Sequence, residues 1–79
     1  MNAPSPLQRL GGRIRARREA AGLAAADLAA AAALDVETLA AIEAGRRDPD
    51  YRTLTRLARA LGAPVGELLA AMDEGDGEP

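Results

Sequence analysis

The stretch from Ala24 to Glu43, AAADLAAAAALDVETLAAIE, decides how the rest of the chain is arranged. It reads as two short helices with a tight break near Ala33, Leu34 and Asp35, because Leu28, Ala29, Leu34, Leu39 and Ile42 recur at helical spacing on either side of it. Ala29 is small enough to let the two helices cross closely. Leu28, Leu34, Leu39 and Ile42 then fill the inner angle and leave one side of the second helix to solvent. That exposed front reads Val36, Glu37, Thr38, Ala40 and Ala41.

Upstream, Met1 to Pro4 reads as a flexible arm. Ser5-Pro6-Leu7-Gln8 then gives a helix start, with Ser5 as N-cap, Pro6 at the first helical position and Gln8 completing a capping box. The first helix is expected over about 6–21, with Leu7, Leu10, Ile14 and Ala21 on its buried face and Arg9, Arg13, Arg15, Arg17 and Arg18 on a largely solvated one. Gly11 and Gly12 should weaken it by about 1 kcal/mol each relative to Ala. Gly22 is its expected left-handed stop, after which Leu23 turns inward. The second helix, about 24–31, has strong propensity but a poor cap in Ala24, offset in part by Asp27 near the positive end of the helix dipole.

Downstream, Asp35 caps the third helix, with Thr38 three residues on, and Gly45 ends it. After the loop Arg46-Arg47-Asp48-Pro49, Asp50 opens a fourth helix that buries Leu54, Leu57, Ala58 and Leu61 and stops at Gly62. Ala63-Pro64 starts a short fifth helix with Val65, Leu68, Leu69 and Met72. The remaining 73–79 is acidic and Gly-rich and reads as a disordered tail. The whole is therefore an all-α, five-helix domain over 5–72, with its central motif at 24–43. The eight alanines between 24 and 33 read as filler at tolerant helix positions.

Composition bounds the chemistry. Seventy-nine residues form one small domain that buries only about 60% of its unfolded-chain surface, which favours a binding module over an enzyme. With no Cys and no His, disulfides, thiol nucleophiles, imidazole bases and most metal sites are excluded. No carboxylate pair is arranged for acid/base work, so no cofactor or metal is expected. No apolar run approaches the roughly 20 residues of a membrane span, and the N-terminus lacks the basic-then-apolar order of a leader, so the expectation is a soluble cytoplasmic protein. All ten basic residues are Arg, and the net charge is −2. The charge is segregated: 7–23 carries +4, 24–43 carries −4, 44–59 carries +3 and 60–79 carries −5.

With the five helices placed, the chain resembles the Cro and phage-repressor type of helix-turn-helix, the XRE family, over about 7–70. The carriers are Leu10-Gly11-x-Arg13-Ile14-Arg15 with Arg18 and Gly22-Leu23, then Leu28-Ala29, Leu39-x-x-Ile42-Glu43-x-Gly45-Arg46-Arg47-x-Pro49, Thr53-Leu54-x-x-Leu57-Ala58-x-Ala60-Leu61-Gly62, and Glu67-Leu68-Leu69. The resemblance implies a transcriptional regulator of double-stranded DNA, usually a homodimer, whose third helix, about 35–44, enters the major groove. It further implies DNA contacts at Ala25, at Asp35, Val36, Glu37, Thr38, Ala40 and Ala41, and at Arg46, Arg47, Tyr51, Arg52 and Thr53. It also implies a structural ion pair between Arg18 and Glu43. Stand-alone controller proteins of restriction-modification systems and antitoxin regulators share this size.

The sequence departs from that family at functional positions. Ala24-Ala25 stand where Ser-Gln usually opens the second helix, and Ala33 stands where the turn usually holds Gly. The front of the third helix has no Arg, Lys, Asn or Gln, so the common bidentate readers of guanine and adenine are missing. Glu37 is either a reader of cytosine or an electrostatic penalty on DNA, and on a protein partner it is an ordinary rim charge. Arg46 and Arg47 are phosphate contacts or solvated loop charges. Tyr51 contacts phosphate or staples the fourth helix. Leu69 and Met72, with Val65, either close the core or form a dimer contact. The rival reading is a helix-turn-helix that has lost DNA readout and uses Ala25, Ala40 and Ala41 to bind another protein or to assemble.

Overall fold

The computed structural model describes residues 3–73. The arm residues Met1 and Asn2, and the acidic tail beyond Asp73, lie outside them. Five α-helices follow one another: α1 Pro6–Ala20, α2 Ala25–Ala31, α3 Val36–Glu43, α4 Tyr51–Leu61 and α5 Val65–Ala70, the last running into a 3₁₀ turn at Ala71–Asp73. Among the described residues there is no strand. None of their helices is long and apolar enough to cross a membrane.

The helices start and stop where local chemistry dictates. Ser5 accepts the Gln8 amide at 3.1 Å while the Gln8 side chain accepts the Ser5 amide at 2.8 Å, a complete capping box. Asp50 accepts the Thr53 amide at 2.8 Å and caps α4. Asp35 departs from expectation: it occupies the N-cap position of α3 with extended backbone, but its side chain makes no capping bond. Only its charge at the helix start remains favourable.

One device ends four of the helices. After α1 the Leu23 amide donates to the Arg18 carbonyl and the Gly22 amide to that of Glu19, with Gly22 left-handed at φ 72°. Gly45 after α3 and Gly62 after α4 repeat the pattern. After α2 the same two bonds form, from Leu34 to Ala29 and from Ala33 to Ala30, but the left-handed residue is Ala33, at φ 60°. A Cβ in that conformation costs about 1 kcal/mol or more. Ala33 is exposed, so nothing packs against the methyl to offset the strain. Replacing Ala33 with Gly is expected to stabilise the domain by about 0.5–1 kcal/mol, less than the strain released because Gly also frees the unfolded chain. Urea denaturation measures this, and an unchanged midpoint would show that the turn has relaxed the strain.

The core gathers the expected apolar residues. Leu10, Ile14, Leu28, Leu39, Ile42, Leu57 and Leu68 are the largest fully buried side chains, with Ala29, Ala32, Leu54 and Ala58 between them. Leu7, Leu34, Leu61, Val65 and Met72 are half-buried against this cluster. Ala21 is exposed rather than buried, because as the C-cap of α1 it already belongs to the turn and no longer follows the helical face.

Two expectations for α1 are corrected. Gly11 is no mere weak point. It is buried where α1 crosses the end of α3, and a Cβ there would sit 2.3 Å from the Ile42 carbonyl oxygen and 2.5 Å from that of Glu43. Gly12, one position on, faces open space. The arginines of α1 do not form a solvated face either. Arg9 donates to the carbonyls of Pro4 (2.7 Å), Ala71 (3.1 Å) and Met72, Arg13 donates to the Glu67 carbonyl (3.2 Å), and Arg17 pairs with the Glu67 carboxylate. Arg9 and Arg13 take up carbonyls of α5 and the turn after it, some of which the helix end leaves without an amide partner, and with the Arg17 ion pair they fasten the end of the fold to its beginning. Only Arg15, paired with Glu19 at 3.1 Å, keeps the expected exposed setting.

Candidate nucleic-acid interface

The packing of α2 against α3 turns one face of α3 into the core and the other outward. Leu39 and Ile42 are buried, Thr38 is partly so, and Val36, Glu37 and Ala40 are exposed, with Ala41 half-exposed beside them. Val36 keeps 46% of its surface. Asp35 lies exposed at the head of the same face.

Basic side chains stand on the segment that follows. Arg46 and Arg47, in the loop after Gly45, and Arg52, in the first turn of α4, are all exposed, and among the described residues none of the three has an ion-pair partner. Tyr51 is 65% exposed, so most of its ring lies in water and the stapling alternative has little surface to work with. Thr53 is half-buried with its amide taken by Asp50. That bond holds the Asp50 carboxyl below the usual aspartate range, with the Thr53 amide as the main cause and nearby Arg52 and Arg56 adding to it. The start of α4 is therefore already occupied by a carboxylate. The start of α2 has no side-chain cap from Ala24, though Asp27 stands in its first turn, and Ala25 is half-buried against the core.

The loop carrying Arg46 and Arg47 is held from behind. Arg18 grips Glu43 in a two-pronged pair, Nε to Oε2 at 2.8 Å and Nη2 to Oε1 at 3.1 Å, and its third nitrogen, Nη1, donates to the Leu23 carbonyl at 3.0 Å. The two side chains are 14% and 10% exposed. The Glu43 carboxylate, chiefly through this hydrogen bonding, raises the already high pKa of Arg18. Gly45 lies against Gln8, where a Cβ would come within 2.7 Å of the Gln8 Cα. The end of α3 is thus fastened to α1 at two points, Gly11 and the ion pair, and the basic loop departs from that fixed base.

Of the expected contact residues, Val36, Glu37 and Ala40 share one exposed face, and Arg46, Arg47, Tyr51 and Arg52 lie on the segment that follows it. Ala25 and Thr53 are set back. Val65 and Met72 pack partly against their own core, which leaves Leu69, 37% exposed, as the outermost of the three residues expected at a dimer contact. No metal-binding cluster of acidic residues occurs among the described residues.

Residues 9–72 match the family described as "Helix-turn-helix domain". The chain belongs to that family. This helix-turn-helix domain is 38% identical over 61 residues to the HTH-type transcriptional regulator DdrOP3 of Deinococcus deserti, an alignment covering 77% of this chain and 47% of that protein, so it spans about half of that relative's length. Its fold is similar to the clp gene regulator ClgR of C. glutamicum, with a TM-score of 0.85 at 26% identity, covering 98% of this chain and 100% of that one. It is also similar to the restriction-modification controller protein C.AhdI of Aeromonas hydrophila, with a TM-score of 0.77 at 34% identity over 78% of this chain and 94% of that one. The fold and family are the Cro/repressor-like ones that the motif residues implied.

Proposed function

We propose that this domain is a DNA-binding transcriptional regulator that acts as a homodimer, with α3 in the major groove and the Arg46, Arg47, Arg52 and Tyr51 rim against the phosphates. The observation that carries the reading is an outward-facing second motif helix followed along the chain by three exposed arginines that have no ion-pair partner among the described residues. The named relatives are regulators, which supports the same reading. Affinity then comes chiefly from the rim, because α3 offers no cation and brings Asp35 and Glu37 towards a polyanion. Dimerisation through Leu69, flanked by Val65 and Met72, supplies the two-fold symmetry that a palindromic site needs. Leu69→Glu should give a monomer in sedimentation.

The deciding measurement is a salt titration of binding to random-sequence duplex DNA. Replacing Arg46 and Arg47 together with Ala is expected to weaken binding to all sequences about equally and to flatten the log–log salt slope by about one unit per lost phosphate contact. A second reading is favoured by one observation, the apolar front of α3 with Val36 at 46% exposure: the domain would bind another protein or assemble through that face. Wild-type protein with no salt-dependent duplex binding at low ionic strength would decide for that second reading.

A further inference from the structure

The side chains on the front of α3 form an uncommon pair of recognition groups. Glu37 lies three residues before Ala40 and four before Ala41, spacings that place all three side by side on a helix surface. Glu37 and Ala40 are exposed, Ala41 is half-exposed, and Val36 extends the apolar surface towards the helix start. No hydrogen bond or ion pair within the described residues engages the Glu37 carboxylate. Apart from Asp35 at its head and the half-buried Thr38 hydroxyl, the front therefore offers one hydrogen-bond acceptor, immediately bordered by methyl groups, and no long donor.

Each base edge in the major groove can be tested against that pair. Guanine shows only acceptors there, which a carboxylate repels. Thymine carries a methyl group, but its neighbouring O4 is again an acceptor. Adenine and cytosine each have an amino donor and lack a methyl beside it. Cytosine methylated at C5 is the one base that shows an amino donor and a methyl on adjacent ring atoms, the complement of a carboxylate next to Ala methyls. Resting on the reading that α3 enters the major groove, we infer that the domain prefers sites containing 5-methylcytosine, with Glu37 accepting from N4 and Ala40, Ala41 and Val36 covering the C5 methyl.

The expected gain is modest per base and doubled by symmetry. Burying one methyl group is worth about a fourfold change in affinity, so a dimer covering one such methyl in each half-site gains about fifteenfold. Cytosine without the methyl would leave the Ala surface unused, and a Gln in place of Glu37 would add an N–H donor that can donate to thymine O4 in the same place.

The test is selection from a randomised duplex library, followed by synthesis of the enriched duplex with cytosine or 5-methylcytosine at each C in turn. The expected result is one position per half-site where methylation tightens binding about fourfold. Ala40→Ser with Ala41→Ser should shrink that gain, read as the ratio of methylated to unmethylated affinity within the same variant, and Glu37→Gln should remove the preference for methylcytosine over thymine. Duplex binding that is indifferent to methylation, or weakened by it, at every cytosine overturns this inference and leaves the DNA-binding reading intact. Absence of any salt-dependent duplex binding overturns both.

Discussion

Replacing Gly11 with Ala is expected to destabilise the domain by about 3 kcal/mol or more, the upper end for overpacking a core. The added Cβ meets the carbonyl oxygens of Ile42 and Glu43 at 2.3 and 2.5 Å, and these are backbone atoms that no rotamer change can move aside. Relief requires α1 to lift away from the end of α3, which would strip cover from Leu10 and Ile14 and pull Arg18 from Glu43. In a chain of this length, with total stability of roughly 4–12 kcal/mol, a loss of that size lowers the melting temperature by roughly 12–24 °C. Gly12→Ala is the matched control. It adds the same methyl in the same helix into open space, and it should raise stability by up to about 1 kcal/mol through helix propensity. Thermal melts of the two variants should therefore move in opposite directions. A Gly11→Ala protein that melts with the wild type would mean that the two helices do not cross as closely as described.

Arg18→Met alone should cost about 3 kcal/mol. That is the lower end for breaking a buried pair, since about a tenth of each partner still meets water. The loss comes less from the attraction removed than from the Glu43 carboxylate left without its two hydrogen bonds, together with a Leu23 carbonyl deprived of its donor. Pairing Arg18→Met with Glu43→Met removes the stranded charge and should recover most of the stability. Chemical denaturation of both single variants and the double variant closes the cycle. If the double variant is no more stable than Arg18→Met, the Leu23 bond and not the ion pair carries the effect. Both Gly11 and Arg18 act on the base of the loop bearing Arg46 and Arg47, so partial loosening should weaken the proposed DNA binding before it unfolds the chain.

What the sequence determined by itself is whatever depends on neighbours a few positions apart. The capping box at Ser5 and Gln8, the Asp50 cap and the left-handed stops at Gly22, Gly45 and Gly62 follow from short-range backbone and side-chain chemistry, whereas the left-handed Ala33 was legible only through the Gly that the resembled family holds at that turn. The periodic apolar residues Leu10, Ile14, Leu28, Leu39, Ile42, Leu54 and Leu57 follow from helical repeat. The Arg18–Glu43 pair was legible only through resemblance, since 25 positions separate the two residues and no local rule joins them. Tertiary structure alone decided the rest. Whether a glycine is a weakness or a necessity depends on what crosses it, which separates Gly11 from its neighbour Gly12. Whether an arginine is solvated depends on which helix end lies opposite, and α5 and the turn after it place their carbonyls against Arg9 and Arg13. The same holds for the candidate interface. Chain order names Arg46, Arg47 and Arg52 as basic, but it is the anchoring of α3 against α1, by close backbone packing at Gly11 and by Arg18 on Glu43, that fixes the base of the loop carrying Arg46 and Arg47.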